Sequence, residues 1–258
     1  MTSLAYGDLG EGTPLVLLHG FPFPRQMWQF QHDGLAKELR LVTPDLPGFG
    51  ESAVSTAAPD LGVMADGVLD LLGRLDLDRV VLGGLSMGGY VAMEILRRRP
   101  EVVGGLVLAD TKASADPAAG ADNRRRMAAV LEEGQNPRVL VHEVLPTLLG
   151  ETTRQERPEV AQWLRELVEQ ADPRGAAWAQ RAMAARPDSF DTLAQVRVPT
   201  LVVVGEEDQL SPPADAQAMV DAVPGAQIAV IAGAGHLSAA EAPDEFNNLV
   251  CDFVLEHS

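Results

Sequence analysis

The sequence predicts an α/β fold in which a doubly wound, mostly parallel β-sheet carries a helical insertion. Three observations lead to this prediction: short apolar runs that recur along the chain, amphipathic stretches between them, and one long region with helical patterns alone. Strands that alternate with helices form parallel sheets covered on both faces, and such strands are apolar along their whole length. Ligand chemistry in these sheets lies at the carboxyl ends of the strands.

Six apolar runs are predicted to be strands of this sheet. They cover residues 15–18, 40–43, 80–82, 102–108, 200–204 and 227–231. Between them, amphipathic stretches such as residues 64–75 and 87–99 predict helices that pack on the sheet.

The alternation of strands and helices stops between residues 111 and 198. Four helices are predicted there, over residues 122–133, 138–149, 157–170 and 174–185. Because the chain contains no internal repeat and no low-complexity linker, we predict that residues 1–258 form a single domain. Its core would be residues 1–110 and 199–258, and residues 111–198 would form a helical lid over the strand ends.

Charge and composition limit the partners of this chain. A formal net charge of -17 opposes binding to nucleic acid and to anionic membranes, since both would repel it. No segment approaches the roughly 20 apolar residues of a membrane span, and the first residues lack the basic and apolar regions of a signal peptide. We therefore expect a cytoplasmic protein that acts on a small molecule, and the oligomeric state is not predicted.

Ser86 is the candidate nucleophile. It lies in the sequence GLSMG, directly between a predicted strand and a predicted helix. A nucleophile at such a sharp turn has a strained backbone, and side chains at Gly84 and Gly88 would collide there. The N-terminal N–H groups of the following helix stabilise negative charge at the site. An ordinary glycine-rich turn would explain this motif alone, so the remaining residues must decide.

The base and the acid that a serine nucleophile needs come later in the chain. His236 stands in the glycine-rich loop GAGH after the last apolar run and is the candidate general base. Asp208 follows the strand at residues 200–204 and is the favoured acid, which would hold the imidazole in one tautomer. Glu206 and Glu207 are adjacent alternatives. Asp110 ends an earlier run and is a further alternative, although we assign it to anchoring the first turn of the lid.

Two backbone N–H groups are candidate donors to the oxyanion that forms during acyl transfer. One belongs to Met87, which follows the nucleophile. The other belongs to Phe21, in the loop after the strand that ends at HGFP. His19 in that motif is expected to fix the loop by hydrogen bonding and not to transfer protons.

Four separated segments resemble the α/β-hydrolase superfamily: HGFP, DLPGFGES at Asp45, GLSMGG around Ser86, and the pair GEED and GAGH. They span nearly the whole chain in the superfamily's order Ser, Asp, His. The segments GLSMGGYVAMEI and LVLADTKA are similar to small bacterial carboxylesterases and 3-oxoadipate enol-lactonase-like hydrolases. The resemblance implies a serine hydrolase that cleaves a carboxylic ester or lactone through an acyl-enzyme on Ser86. No histidine pair or carboxylate cluster has metal-ligand spacing, and no glycine-rich loop indicates a phosphate or dinucleotide site, so we expect no cofactor and no metal.

The same residues leave two other functions open. A cofactor-free perhydrolase or haloperoxidase can use the same triad, and some members of the superfamily only bind a small molecule. Dehalogenases and epoxide hydrolases of the superfamily are excluded, because they use an aspartate where Ser86 stands.

The resemblance also implies an eight-stranded sheet with the lid inserted after the sixth strand. Only about fourteen residues precede the strand that ends in HG. We therefore expect the first antiparallel edge strand to be missing or abbreviated.

The lid is expected to determine the substrate. Its large apolar side chains suit either an acyl pocket or helix packing on the sheet, and packing is favoured; they are Met127, Trp163, Trp178 and Met183. The arginines Arg124, Arg125 and Arg126 are predicted to form a solvated helix face instead of contacting a substrate carboxylate.

Overall fold

A computed structural model describes residues 3–257 of the chain. Seven strands form one sheet: β1 (Tyr6–Leu9), β2 (Pro14–Leu18), β3 (Arg40–Pro44), β4 (Val80–Leu85), β5 (Val103–Ala109), β6 (Thr200–Gly205) and β7 (Gln227–Ile231). Their spatial order is β1-β3-β2-β4-β5-β6-β7. The β1–β3 pair is antiparallel and the other pairs are parallel. This is the mostly parallel, doubly wound sheet that the sequence predicts.

Each of the six predicted strands is present, with ends that differ by a few residues. The largest difference is in β4, which continues through Gly83 and Gly84 to Leu85. Within residues 3–257 the sheet has seven strands, one fewer than the eight that the resemblance implies, which agrees with the expectation of a missing or abbreviated first edge strand. The insertion accordingly follows the fifth strand of the chain and not the sixth. Unlike the central strands, β7 lies at the sheet edge and exposes Ile228 and Val230.

Helices cover both faces of the sheet and make up the insertion. They are α1 (Gln29–Leu35), α2 (Leu61–Arg74), α3 (Met87–Arg98), α4 (Ala118–Gly134), α5 (Leu145–Leu148), α6 (Glu151–Glu156), α7 (Pro158–Glu169), α8 (Pro173–Ala184), α9 (Phe190–Leu193), α10 (Pro213–Ala222), α11 (Ser238–Glu241) and α12 (Pro243–Glu256). In the core, α2 begins where the Asp60 carboxylate accepts a hydrogen bond from the Gly62 N–H, and it buries Met64, Val68 and Leu71. Among residues 3–257, no helix combines the length and the apolar character that crossing a bilayer requires.

Two sets of contacts attach the insertion, residues 111–198, to the core. On one side, α8 packs closely on the loop after β3: a Cβ atom on Gly175 would lie 2.0 Å from the Gly48 carbonyl oxygen. The indole N–H of Trp178 donates to the Ala57 carbonyl at 2.9 Å. On the other side, the Leu148 carbonyl accepts from the His236 backbone N–H at 2.9 Å. The insertion thus contacts the loop that carries the candidate base.

The predicted helices of the insertion are present with changed ends. The second is shorter and irregular, since a π-helical turn (Leu140–Val144) leads into α5. The sequence analysis did not predict α6, which lies between two of the expected helices.

Candidate active site

Ser86 stands at the turn between β4 and α3, with a strained backbone at φ 53° and ψ -111°. A non-glycine residue rarely adopts positive φ, and it does so where its surroundings hold it. Here the Ser86 N–H donates to the Ala109 carbonyl at 2.9 Å, and the Thr111 hydroxyl donates to the Ser86 carbonyl at 2.8 Å. Ala109 is the last residue of β5 and Thr111 follows two residues later, so the end of the neighbouring strand and the residues just after it fix the turn.

The two glycines that flank Ser86 allow three backbone segments to meet. A Cβ atom on Gly84 would lie 2.3 Å from the Gly88 backbone, and one on Gly88 would lie 2.1 Å from the Leu18 carbonyl oxygen. Real Cβ atoms do not approach other atoms so closely, and the nearest atoms are backbone atoms that cannot turn aside. The predicted reason for these glycines is therefore confirmed.

The structure brings Ser86, His236 and Asp208 together in one chain of hydrogen bonds. The His236 Nε2 atom lies 2.8 Å from the Ser86 Oγ, and Nδ1 lies 2.8 Å from the Asp208 Oδ2. With the ring proton on Nδ1 donating to the carboxylate, Nε2 is left to accept from the serine hydroxyl. The other Asp208 oxygen accepts from the N–H groups of Leu210 and Ser211, so the carboxylate is held from both sides.

The surroundings of His236 favour its protonated form. Burial lowers its pKa, but the charge of Asp208 and the hydrogen bond to it raise the pKa by more, so the balance lies above the usual value. Asp110 and Glu241 add to this effect. A carboxylate that stabilises the imidazolium suits a histidine that accepts a proton during a reaction.

Asp110 does not anchor the lid, and that part of the sequence analysis is wrong. Its buried carboxylate accepts from the Gly205 N–H at 2.9 Å and from both the N–H and the hydroxyl of Ser238, at 3.0 and 2.6 Å. Burial, followed by the charge of Asp208, raises the pKa of Asp110 to about 7. Asp110 thus joins the loop before Asp208 to the loop after His236.

The other two acidic alternatives are turned away from His236. Glu206 accepts from the Gly233 N–H at 3.2 Å. Glu207 accepts from the N–H and the hydroxyl of Thr152, at 2.9 and 2.6 Å. Of the four acidic residues considered, Asp208 is the one whose carboxylate contacts the imidazole.

Within residues 3–257, both candidate oxyanion donors are free of protein partners. Within the described part of the chain, neither the Phe21 N–H nor the Met87 N–H makes a hydrogen bond. Met87 directly follows Ser86. The loop of Phe21 passes beside the nucleophile, since a Cβ atom on Gly20 would lie 3.6 Å from the Ser86 Cβ.

His19 holds the loop that contains Phe21. Its Nδ1 lies 3.1 Å from the Gly20 carbonyl, and its Nε2 accepts from the Leu46 N–H at 2.9 Å. Burial lowers the pKa of His19 to about 4, although the charge of Asp45 opposes the shift. A neutral ring with both nitrogens occupied by backbone groups positions the loop and leaves no nitrogen for proton transfer.

A cavity of about 310 Å³ opens beside Ser86 and His236. The core contributes Phe21 and Tyr90 to its wall, and the insertion contributes Met127 and Met183. Each of these two methionines is buried and also faces the cavity. They therefore both pack in the protein interior and line the pocket. Trp163 and Trp178 are not part of this wall: Trp163 packs edge-on against Phe30, with ring centroids 5.0 Å apart, and Trp178 bonds to Ala57.

Comparison with known proteins identifies the family of this chain. Residues 15–249 match the model of the alpha/beta hydrolase family. The chain belongs to this family. The seven-stranded sheet and the order Ser86, Asp208, His236 along the chain agree with the membership that the sequence motifs predict.

Several known proteins are similar to this α/β hydrolase over its whole length. The structure of a thermophilic esterase of Thermogutta terrifontis with malate bound has 41 % sequence identity and a TM-score of 0.95, and the match covers 100 % of this chain and 95 % of that one. An enol-lactonase of Burkholderia xenovorans has 27 % identity and a TM-score of 0.89, with 98 % and 97 % covered. A dihydrolipoyllysine-residue acetyltransferase component of the acetoin cleaving system of Pseudomonas putida is 32 % identical, over 98 % of this chain and 67 % of that protein.

Sequence reasoning missed Glu241, which supports the loop of the hydrolase's candidate base. Its buried carboxylate accepts from the Leu237 N–H at 3.1 Å and from the Gly150 N–H in the insertion at 2.9 Å. An acidic residue in the apolar stretch LSAAEAP is the signal that could have identified it, since buried carboxylates require partners.

The sequence analysis also missed the charged end of the pocket. Arg124 is half-buried and lines the cavity, so a solvated helix face is wrong for this arginine, whereas Arg125 is exposed. The available signal is spacing: Arg124 precedes Met127 by three residues on α4, which places both on one helix face. Lys112 and Asp116, which come before α4, line the same cavity. Within residues 3–257, no group of three or more His, Cys, Asp or Glu side chains could hold a metal ion.

Proposed function

We propose that this α/β hydrolase cleaves a carboxylic ester or a lactone through an acyl-enzyme on Ser86. The observation that supports this most directly is the pair of 2.8 Å contacts that link Ser86, His236 and Asp208 at the end of β4. A hydroxyl group becomes an effective nucleophile only when a base accepts its proton, and His236 would be that base.

In the first half of the reaction, the Ser86 Oγ attacks the substrate carbonyl while His236 Nε2 takes the hydroxyl proton. A C–O bond forms and the carbonyl oxygen becomes an oxyanion. His236 then gives the proton to the leaving oxygen as its bond to the carbonyl carbon breaks, which releases an alcohol, or opens the ring of a lactone. Asp208 stabilises the imidazolium that exists between these two transfers.

In the second half, water replaces the alcohol. His236 takes a proton from the water as it attacks the acyl carbon, and the tetrahedral intermediate collapses with return of that proton to the Ser86 Oγ. The products are a carboxylic acid and the free enzyme, so no cofactor is consumed.

Phe21 and Met87 would supply the oxyanion hole. Their free N–H groups lie on the two segments that flank Ser86, where hydrogen bonds to a developing negative charge contribute most to rate. Each such donor accounts for on the order of 10²–10³ in kcat.

Residues 111–198 would act as a lid on one domain of residues 1–258. The pocket wall combines residues of the core with residues of the insertion, and its 310 Å³ is at the low end of the roughly 300–1,000 Å³ of ligand pockets, which favours a small substrate. The similar esterase and enol-lactonase support carboxylic esters and lactones as the class. The cytoplasmic location stays a prediction.

A fluorophosphonate probe tests this function together with a panel of short-chain esters and lactones. We expect covalent labelling at Ser86, detected by peptide mass spectrometry, and turnover of at least one substrate. The matched control is Ser86→Ala, which should neither label nor turn over. Absence of both labelling and turnover in the wild-type protein would refute the proposal. Peroxide-dependent halogenation with negligible ester turnover would favour a perhydrolase or haloperoxidase instead. Tight binding of a small molecule without turnover would favour a binding protein.

A further inference from the structure

We propose that the substrate of this site carries a carboxylate group that binds Arg124 and Lys112 at the insertion end of the pocket. The inference rests on the proposed ester hydrolysis and specifies its substrate class, namely half-esters of dicarboxylic acids or esters of hydroxy acids.

Arg124 presents part of its guanidinium group without a protein partner. Its Nε bonds to Asp116, and its Nη1 donates to the Gln180 amide oxygen at 3.2 Å. Its Nη2 donates no hydrogen bond to any residue of the described range 3–257. Its Nη1 also contacts the Met183 sulfur at 3.5 Å. The side chain is 23 % exposed and lines the cavity, so Nη2 is the nitrogen available to a ligand.

Asp116 does not neutralise Arg124, because it is already paired with a second arginine. Arg186, nearly buried, reaches both oxygens of the Asp116 carboxylate, at 2.8 and 2.9 Å. Its guanidinium also stacks 4.0 Å from the centre of the Tyr90 ring. Burial raises the pKa of Asp116, but Arg186 and Arg124 together lower this pKa by more, so that it falls to about 2. One ionised carboxylate thus serves two guanidinium groups, which leaves a positive charge in excess.

The other charges at this end do not cancel that excess. Glu143 is paired with Arg126 at 2.7 Å on the exposed rim. Lys112 has a weak contact of 3.4 Å with the Leu210 carbonyl and no ion pair within the described part of the chain. The group formed by Asp116, Arg124 and Arg186 therefore keeps one positive charge in excess, and Lys112 adds a second positive charge to the wall of the same cavity.

An excess of positive charge beside the nucleophile is unexpected in a chain of net charge -17. Local cations attract an anionic ligand against the repulsion of the rest of the protein, and the N–H groups of a guanidinium nitrogen donate strong, charge-assisted hydrogen bonds to a carboxylate. The pocket also has an apolar part, from Phe21, Met127 and Met183, that suits the carbon chain between the carboxylate and the ester.

Two matched pairs of esters test the inference. In the first pair, ethyl hydrogen glutarate has a carboxylate on the acyl side where ethyl glutaramate has an amide. In the second pair, 4-acetoxybutanoate has a carboxylate on the alcohol side where 4-acetoxybutanamide has an amide. We expect wild-type kcat/KM to favour the anionic member of at least one pair by about tenfold or more, because hydrogen bonds to charged groups are the strong ones. Arg124→Gln should reduce that ratio about tenfold, mainly through KM, and Lys112→Gln should reduce it by less.

Arg125→Gln is the matched control. It makes the same change one residue along α4, at an exposed side chain paired with Asp122, and removes the same charge from the protein. The anionic-to-neutral ratio should be unchanged in this variant. It should fall less in Arg124→Lys than in Arg124→Gln, because lysine keeps the positive charge but not the guanidinium group. Equal kcat/KM for both members of both pairs, or an equal loss of ratio in Arg124→Gln and Arg125→Gln, would overturn the inference.

Calorimetric titration of glutarate into Ser86→Ala protein separates this inference from the proposed function. Binding that Arg124→Gln weakens about tenfold supports the carboxylate site even if no ester is hydrolysed. Labelling of Ser86 by the phosphonate with no measurable glutarate binding would support the proposed function and contradict the carboxylate site.

Discussion

The end of the sheet and the insertion differ in what holds their functional groups in place. At the sheet end, backbone contacts fix the turn of Ser86, where Gly84 meets Gly88 and the next strand binds both sides of the serine peptide. In the insertion, long side chains such as Arg124 and Arg186 are placed by ion pairs with Asp116. On the proposals made above, the first region would carry out the chemistry and the second would select the substrate. Substitutions in the first should remove turnover, and those in the second should change which substrate is used.

The largest expected effect is the loss of turnover in Ser86→Ala. Removal of the nucleophile in triad enzymes lowers kcat on the order of 10⁶-fold. Steady-state kinetics on one ester, with circular dichroism to verify the fold, measure this effect. If Ser86→Ala retained more than a few per cent of the activity, Ser86 would not be the nucleophile.

Asp208→Asn should have the second largest effect. The amide keeps the size of the side chain but favours the wrong tautomer of His236, and the expected loss is on the order of 10⁴ in kcat. Asp110→Asn is the matched comparison, because Asp110 contacts the loops on both sides but not the imidazole. Its loss should be far smaller, and a larger loss for Asp110→Asn would reverse the assignment of the acid.

The residues of the sheet end could be predicted from the sequence because local rules determine them. The sharp turn between a strand and a helix at GLSMG restricts the backbone conformation of Ser86. Parallel strands bring the loops of Asp208 and His236 to the same end of the sheet, where the carboxyl ends of the strands lie. The same rules predicted the six strands. They did not predict the role of Asp110, because its partners, Gly205 and Ser238, are about a hundred residues away in the chain.

The residues of the insertion could not be predicted in the same way. The periodicity of α4 places Arg124 beside Met127, but whether that face meets solvent or a cavity depends on how α4 and α8 pack together. The excess charge is a property of three side chains, Asp116, Arg124 and Arg186, that come from separate segments. No local pattern in the sequence contains all three.

The pH dependence of kcat/KM for a neutral ester should report the pKa of His236. His236 must be neutral to accept the serine proton, so activity should rise tenfold per pH unit and then level off above the pKa of His236. Because the net effect of its surroundings is to raise that pKa, the midpoint should lie above 6.5. Asp208→Asn removes the main raising charge and should move the midpoint down, whereas Arg125→Gln should not move it. A midpoint well below 6.5 in the wild-type protein would contradict the environment described for His236.

The smallest effect concerns the attachment of the insertion to the core. Trp178→Phe removes the hydrogen bond from the indole N–H to the Ala57 carbonyl and leaves that carbonyl without this donor. A lost hydrogen bond of this kind costs about 1 kcal/mol in the free energy of unfolding. Trp163→Phe makes the same change at a half-buried indole of the insertion that has no hydrogen bond to residues 3–257, so it controls for the lost ring volume. Urea unfolding of both variants should place Trp178→Phe about 1 kcal/mol below Trp163→Phe, with kcat for a neutral ester changed only a few-fold in either. Equal stability of the two variants would mean that the close approach of Gly48 and Gly175 holds α8 without help from this bond.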